Sequence, residues 1–327
     1  MKLATFVRQT GDAAIGVVDT DRDEILDLAK ACSTGQASAF SARTTATAPA
    51  GPAIFSSMQS LIESGASGLA LAREVAEQWS KAAVQPLATT RLLAPLPRPE
   101  SIRDCLVFER HLVNAMKAWE KLANRPVTEV PKVWYERPTW YKGNRFSVVG
   151  HETDVQWPPY SEMMDFELEL ACVIGKTGRD IPVEKGLEHI FGFTIFNDFS
   201  ARDTQMVERP LGMGPMKGKD FDTGNVFGPW IVTTDEIGDP GTLDMEVRVN
   251  GERWGGGNSG EMQHSFAGIL SFISTSETLH PGEIIASGTV GTGCGLELTR
   301  FLKPNDVIEL EIERIGVLRN RIVRGFR

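Results

Sequence analysis

Several features that would narrow the class of protein are missing from the sequence. Its 327 residues contain no run of Lys or Arg, and the formal net charge is −9. Nucleic acid is therefore a poor partner, because the phosphate groups would be repelled. No stretch reaches the ~18 consecutive apolar residues that a membrane-spanning helix needs, and the chain does not start with an apolar signal segment. We expect a cytoplasmic protein with no membrane partner.

Cysteine is also scarce, and its spacing suggests no metal or disulfide framework. Cys32, Cys105, Cys172 and Cys294 stand far apart among apolar or small residues, without a C-x-x-C or Cys/His ligand pattern. This argues against structural zinc and favours four buried free thiols in a reducing compartment. With 41% hydrophobic residues, a chain of this length can bury a core without such staples.

A proline-rich segment divides the chain into two parts. Residues 1–30 have strand patterns, residues 34–53 read as a loop, and residues 55–83 show the apolar spacing of helices. Residues 91–102, RLLAPLPRPESI, contain three prolines and predict a linker. We place a small α+β domain at 1–95 and a second domain at 96–327. Short β-rich runs dominate the second part, and Asn250-Gly251 predicts a hairpin turn, so the fold class is mixed and mainly β (α+β).

The most informative segment is an acidic strand, DFELELACVIG, that starts at Asp165. Side chains alternate between the faces of a strand, so Asp165, Glu167 and Glu169 share one face while the other face is apolar. This face could be the solvated side of an edge strand, since charged edges are common. However, it continues into Ala171 and Val173, which predicts partial burial, and half-buried carboxylates need a compensating cation.

A second acidic position lies where an apolar strand ends at Asp198. The following Ser200-Ala-Arg-Asp203 fits a capping box, and Arg202 and Gln205 would share one face of the new helix. Polar side chains often converge on a ligand at such a junction, although an ordinary helix cap with a surface Arg is the rival interpretation.

Together these segments resemble a known family. The patterns D-x-E-x-E-L-x-x-V-I-G, F-N-D-x-S-A-R-D-x-Q, G-K-x-F and A-S-G-T with a later L-E-L are similar to the fumarylacetoacetate hydrolase superfamily, from about residue 95 to the end. The resemblance implies the family's β-roll in the C-terminal domain, a small N-terminal domain, a homodimer and a role in aromatic catabolism.

The resemblance also implies roles for individual residues. Asp104 stands seven residues before His111, as a further metal-ligating Asp does in the hydrolases proper. The implied metal ligands, which as oxygen donors suit Mg²⁺, Ca²⁺ or Mn²⁺, are Asp104, Glu167, Glu169 and Asp198. The implied catalytic residues are His111, Glu297, Lys219, Arg202 and Gln205. The implied substrate contacts are Tyr141, Thr289 and Arg209.

This set of residues predicts a hydrolase that cleaves a C–C bond in a 2,4-diketo or acylpyruvate-like acid. His111 would activate water, Glu297 would orient it, and Lys219 and Arg202 would meet the developing negative charge. In the small acylpyruvase- and decarboxylase-like members of the family, a Glu lies three residues after the histidine that corresponds to His111, whereas position 114 here is Asn. This difference favours C–C hydrolysis over decarboxylation. An isomerase, hydratase or decarboxylase of a 2-oxo acid remains an alternative, as does a metal-stabilised binding protein without turnover.

Two departures from the family pattern bear on the substrate. Leu106, Glu120 and Arg209 stand where fumarylacetoacetate hydrolase itself has tyrosines and an arginine, so we do not expect that compound to be the substrate. Residues 115–135 have no firm counterpart and predict a lid.

Overall fold

The structure is a computed structural model that describes residues 1–34, 51–123 and 129–325. Its strands are β1 (Lys2–Val7), β2 (Ala13–Asp19), β3 (Glu24–Asp27), β4 (Val84–Pro86), β5 (Ile102–Cys105), β6 (Trp140–Gly143), β7 (Val148–Val149), β8 (Val155–Trp157), β9 (Met164–Asp165), β10 (Leu168–Ile174), β11 (Ile190–Asp198), β12 (Ser200–Ala201), β13 (Asn225–Thr233), β14 (Asp244–Val249), β15 (Glu252–Asn258), β16 (Ile284–Ala286), β17 (Val307–Ile312) and β18 (Gly316–Arg324). Its helices are α1 (Leu28–Thr34), α2 (Met58–Glu63), α3 (Gly65–Gln78), α4 (Glu109–Ala123), α5 (Lys132–Glu136), α6 (Arg202–Glu208), α7 (Thr234–Ile237), α8 (Phe266–Ile273) and α9 (Gly295–Leu298).

A large open sheet of 11 strands carries the site, in the order β4-β3-β2-β1-β13-β11-β10-β16-β5-β6, with β7 on β13. The central strands β10, β11 and β13 are buried at every residue, which explains their near-continuous apolar sequences. Strand β1 pairs antiparallel with β13, so strands from both sides of the proline-rich segment share one sheet. The division at residue 95 stays a prediction.

The acidic strand separates two hydrophobic clusters. Leu168 and Leu170 pack into the larger cluster, whereas Ala171 and Val173 pack with Leu61 and other side chains of the N-terminal part. The face that was expected to be half-buried is thus completely covered along β10.

A second sheet has five strands in the order β15-β14-β17-β18-β8, and β9 pairs with β12 in a small ladder. Asn250 and Gly251 both have positive φ, 52° and 79°, between β14 and β15, which confirms the hairpin turn. The strand-rich, mixed α+β fold class is confirmed, and both larger sheets are open.

The other expectations for local structure have mixed outcomes. Helices α2 and α3 confirm the spacing over 55–83. Most of the predicted loop, residues 35–50, lies outside the described residues, and residues 51–56 form a 3₁₀ helix. Within 115–135, α4 extends to Ala123 and α5 begins at Lys132, and a lid there stays a prediction. Among the described helices, none is long and apolar enough to span a bilayer.

Candidate functional site

Four carboxylates, carried by β5, β11 and the start of β10, meet below the surface. Asp104 is in β5, Glu167 and Glu169 lie just before and inside β10, and Asp198 ends β11. The β10–β11 register sets Leu168 opposite Asn197, and β16 connects β10 to β5 through Ala286. Each residue offers a carboxylate oxygen, and these oxygens all lie within 4.8 Å of one another. The structure thus brings the four predicted metal ligands together.

Two cations border this carboxylate cluster on one side. Lys219 Nζ lies 2.6 Å from Glu167 Oε2 and 2.5 Å from Asp198 Oδ2, and Arg202 Nη2 donates to Glu167 Oε1 at 2.7 Å. Burial would raise the pKa of Glu167, but the charges of Lys219 and Arg202 hold that pKa well below its usual range.

The pKa values of the other three carboxyls of the cluster are shifted upward. Burial, followed by the charge of Asp198, raises the pKa of Asp104 well above its ordinary range. Burial and the nearby Asp104 likewise raise the pKa of Glu169, and burial raises that of Asp198 despite Lys219. Four carboxyls thus lie beside two cations, and like charges at close range disfavour ionisation.

The carboxylate cluster fits a divalent cation. Asp104 Oδ1 and Asp198 Oδ1 are buried without a hydrogen-bond partner, which is costly for a carboxylate unless another ligand occupies it. Four carboxylate groups form an all-oxygen donor set that suits hard ions such as Mg²⁺, Ca²⁺ or Mn²⁺.

A buried histidine–glutamate pair forms the second part of the site. His111 Nδ1 lies 2.8 Å from Glu297 Oε1, and the other oxygen, Oε2, accepts from Asn114 Nδ2 at 2.9 Å and from the Thr292 N–H at 2.8 Å. His111 and Asn114 are neighbours on one face of α4 because they are three residues apart. Since Glu297 only accepts, the His111 proton must sit on Nδ1, which leaves Nε2 as the basic nitrogen.

Cys294 lies beside this pair, with Sγ 3.5 Å from Glu297 Oε1 and 3.9 Å from His111 Nδ1. Although the three side chains are close enough to share a metal ion, burial and then the charge of Asp165 raise the pKa of the Cys294 thiol well above its ordinary range. Because Glu297 Oε1 already accepts from His111 and lies within hydrogen-bond distance of Cys294 Sγ, we interpret this group as a hydrogen-bonded pair with a thiol beside it.

Asp165 does not join the carboxylate cluster, contrary to the expected face of three. It is buried, its Oδ1 accepts the Gly295 N–H at 2.7 Å, and its Oδ2 accepts from the Leu296 N–H and from Arg202 Nε, both at 2.8 Å. The alternation fails here because the ladder is interrupted at Phe166, between β9 and β10. Asp165 thus fastens the start of α9, the helix that carries Glu297.

The predicted capping box is wrong, whereas the predicted shared face of the helix is confirmed. The N-cap of α6 is Ala201, which has no side-chain cap, because Ser200 pairs with Asp165 in the β12–β9 ladder. Asp203 Oδ1 instead accepts from Ser161 Oγ at 2.6 Å. Arg202 Nη1 donates to Gln205 Oε1 at 3.0 Å, so these two side chains do meet.

A cavity of about 380 Å³ lies next to these groups. Its lining includes ten of the twelve predicted site residues, namely Asp104, His111, Tyr141, Glu167, Glu169, Arg202, Gln205, Arg209, Lys219 and Thr289. The two others lie just behind it: Asp198 in the carboxylate cluster and Glu297 in contact with His111.

The predicted substrate contacts have distinct surroundings in this cavity. The Tyr141 hydroxyl donates to Asp198 Oδ2, and burial, followed by the charge of Asp198, raises the pKa of Tyr141 well above its ordinary range. Thr289 Oγ1 donates to Glu169 Oε1 at 3.3 Å. The Arg209 guanidinium lies 5.7 Å from the ring centroid of Trp119.

Sequence reasoning missed several residues of the site. The contact of Asn114 with Glu297 could have been found from its i+3 spacing to the histidine on a helix. The Thr292 N–H and the position of Cys294 beside the histidine had no comparable signal, because both depend on how the segment before α9 folds.

Comparisons with known proteins agree on the family. A family profile described as "Fumarylacetoacetate (FAA) hydrolase C-terminal" matches residues 104–323. Similar sequences include "Oxaloacetate tautomerase FAHD2A, mitochondrial" from Homo sapiens, 34% identical over 83% of this chain and 81% of that protein. "Oxaloacetate tautomerase YisK" from Bacillus subtilis (strain 168) is 34% identical over 80% of this chain and 86% of that protein.

Solved structures extend the similarity to nearly the whole chain. Fumarylacetoacetate hydrolase from Exiguobacterium antarcticum has a TM-score of 0.73 at 27% identity and covers 99% of this chain and 100% of its own. Maleylpyruvate hydrolase from Sphingobium sp. SYK-6, in complex with manganese (II) ion and pyruvate, has a TM-score of 0.71 at 26% identity and covers 100% of both chains.

Proposed function

The chain belongs to the fumarylacetoacetate hydrolase family, and from this premise we propose that it is a divalent-metal-dependent hydrolase. Its substrate would be a 2,4-diketo or acylpyruvate-like acid, and the bond cleaved would be the C–C bond between the acyl group and the pyruvoyl group. The observation that supports this proposal is the contact between His111 Nδ1 and Glu297 Oε1 beside a cavity that the carboxylate cluster also lines.

Asp104, Glu167, Glu169 and Asp198 would hold the cation, for which we propose Mg²⁺, with Ca²⁺ and Mn²⁺ as alternatives. When bound, such an ion polarises the adjacent oxygens of a 2-oxo acid. The crystal complex of the Sphingobium relative contains manganese (II) and pyruvate, which is consistent with this assignment.

The protein's own residues would carry the proton transfers. His111 takes a proton from water at Nε2 while its Nδ1 proton stays on the hydrogen bond to Glu297, whose charge stabilises the imidazolium. The water oxygen adds to the acyl carbonyl carbon, the bond to C3 breaks, and its electron pair remains on the pyruvate enolate. Protonation at C3 then yields pyruvate and a carboxylic acid.

The remaining residues would bind and orient the substrate. Lys219, Arg202 and Gln205 line the cavity as donors near the developing negative charge. Tyr141, Thr289 and Arg209 line it as well, and we propose that they contact the substrate. A homodimer in the cytoplasm remains our prediction for the assembly and its location.

Acetylpyruvate is a suitable first substrate for testing the hydrolase. We expect release of pyruvate and acetate in Mg²⁺, loss of activity in EDTA and its return on adding Mg²⁺. His111→Ala should lower kcat by about 10²–10⁴, the range for a general base, whereas the exposed His280→Ala should leave it unchanged. Full activity after complete metal removal would contradict the proposal.

A second function on the same site is favoured by the names of the similar proteins. Relatives 34% identical to this chain are oxaloacetate tautomerases, which interconvert tautomers and break no C–C bond. We therefore propose tautomerisation of a 2-oxo acid as the alternative, with His111 moving a proton at C3. Fast keto–enol exchange of oxaloacetate, without pyruvate release from any acylpyruvate, would select the tautomerase over the hydrolase.

A further inference from the structure

One part of the cavity lining is apolar and lies apart from the carboxylate cluster and the His111–Glu297 pair in composition. It consists of Leu106, Leu112, Ala115, Trp119, Trp140 and Leu296, which we call the apolar compartment. Three of its members, Leu112, Ala115 and Trp119, lie on α4 after His111, and the successive spacings of three and four residues between them place them in a stripe on one face. At 1.5 Å per residue, this stripe runs about 12 Å from the level of His111 to that of Trp119.

The shape of the apolar compartment is fixed by packing. Ala115, Trp119 and Leu296 belong to a small hydrophobic cluster of their own, together with Ala118 and Cys294. Trp119 is only 9% exposed. A ligand that fills this space would contact side chains that already pack against one another.

Each Lys or Arg side chain of the cavity lining contacts a group of the protein itself. Arg202 forms ion pairs with Asp165 and Glu167, and Lys219 with Glu167 and Asp198, so both cations are held beside the carboxylate cluster. The third cationic side chain of the lining, Arg209, lies over the indole of Trp119 in a cation–π arrangement.

We propose that the apolar compartment binds the acyl group of the substrate and selects an uncharged, apolar tail, with Trp119 as the specificity-determining residue. The substrate class is then an acylpyruvate-like acid with an alkyl or aryl acyl group. The inference rests on the proposed function for the pyruvoyl end, which the polar half of the cavity would bind. It deepens that function by adding the chemistry of the other end.

The test is a series of 2-oxo acids that cannot be hydrolysed, titrated calorimetrically into the full chain with saturating Mg²⁺. Pyruvate reports the polar half alone, 2-oxohexanoate adds three methylene groups, and 2-oxoadipate has the same length but ends in a carboxylate. Full burial contributes about fourfold in affinity per methylene, so we expect 2-oxohexanoate to bind at least about tenfold more tightly than pyruvate. 2-Oxoadipate should bind more weakly than 2-oxohexanoate.

Two variants on α4 test whether the apolar compartment causes the higher affinity for 2-oxohexanoate. Trp119→Ala should reduce the advantage of 2-oxohexanoate at least about threefold while leaving the Kd of pyruvate unchanged. Leu122→Ala is the control, because this partly exposed side chain lies on α4 but not in the cavity lining.

Three results would overturn the inference, and they differ from one another. If pyruvate does not bind in the presence of Mg²⁺, the proposed function fails and the inference fails with it. If pyruvate binds but the tail of 2-oxohexanoate adds no affinity, only the inference fails. If 2-oxoadipate binds more tightly than 2-oxohexanoate and Arg209→Met abolishes this preference, the acyl tail is charged and the compartment selects a second carboxylate.

Discussion

Replacing Glu297 by Gln should inactivate His111 by moving its ring proton from Nδ1 to Nε2, while the ring keeps its position. The carboxylate accepts at both oxygens: His111 Nδ1 at Oε1, and Asn114 and the Thr292 N–H at Oε2. A glutamine offers one acceptor oxygen and one NH₂ group. With its oxygen toward Asn114 and Thr292 it keeps two hydrogen bonds, and its NH₂ then donates to His111 Nδ1. The histidine proton must move to Nε2, which can no longer accept one from water.

The size of the effect follows from the competing orientation. With its oxygen toward His111, the NH₂ of Gln would face two buried donors, which costs about 1–3 kcal/mol for each group left unsatisfied. One unsatisfied group is therefore enough to make the inactive tautomer about fivefold to over a hundredfold more populated than the active one. The lost charge removes the stabilisation of the imidazolium as well. We expect kcat to fall by about 10²–10⁴, with KM within about threefold because Glu297 does not line the cavity.

The assay is the initial rate of acetylpyruvate cleavage in Mg²⁺, followed by the ultraviolet absorbance of the enolised diketo acid. The Kd of pyruvate in Mg²⁺ checks that the site still folds, and the partly exposed Glu261→Gln is the matched control. A kcat within about tenfold of the unmodified protein, or a loss confined to KM, would refute the tautomer argument.

Three further predictions follow from the buried charges. Burial raises the pKa of Asp104 and Glu169, and a carboxyl whose pKa is raised by folding stabilises the fold at low pH and loses that contribution as the pH rises through its folded-state value. Calorimetry should therefore find that Mg²⁺ increases Tm, relative to EDTA, more at pH 8 than at pH 5, and an equal increase would contradict this. Asp165→Asn leaves Arg202 paired with Glu167 alone and turns an NH₂ group toward a buried N–H of α9, so urea unfolding should lose about 1–3 kcal/mol; an unchanged free energy of unfolding would speak against these contacts. Tyr141→Phe removes one hydrogen bond to the carboxylate cluster and should lower kcat/KM by about tenfold, without unfolding the protein, and unchanged kinetics would exclude a role for the hydroxyl.

Local patterns in the sequence were sufficient for part of the site. Alternation along the acidic strand placed Glu167 and Glu169 together, and the end of an apolar strand marked Asp198. These predictions succeeded because β10 and β11 are adjacent, antiparallel and consecutive among the long strands of the sheet. The same alternation failed for Asp165, because a strand pattern in the sequence does not reveal where the hydrogen-bonded ladder is interrupted.

Long-range contacts were beyond such patterns. Asp104 joins the carboxylate cluster only because β5 runs parallel to β16, and these strands are far apart in the sequence. In the same way, the complete burial of Ala171 and Val173 depends on N-terminal side chains, since β1 extends the sheet from β13. For Asp104, and for the pairing of His111 with Glu297, the family resemblance supplied what the residues alone did not.

Asp165 connects the two halves of the site, although it belongs to neither. One of its oxygens binds Arg202, which in turn donates to Glu167 in the carboxylate cluster. Both of its oxygens also hold the first N–H groups of α9, the helix whose Glu297 binds His111. A four-residue helix has little stability of its own, so the orientation of Glu297 depends on this anchor. The third carboxylate of the acidic strand therefore has a structural role outside the cation site, since it connects the carboxylate cluster, through Arg202, to the helix that carries Glu297.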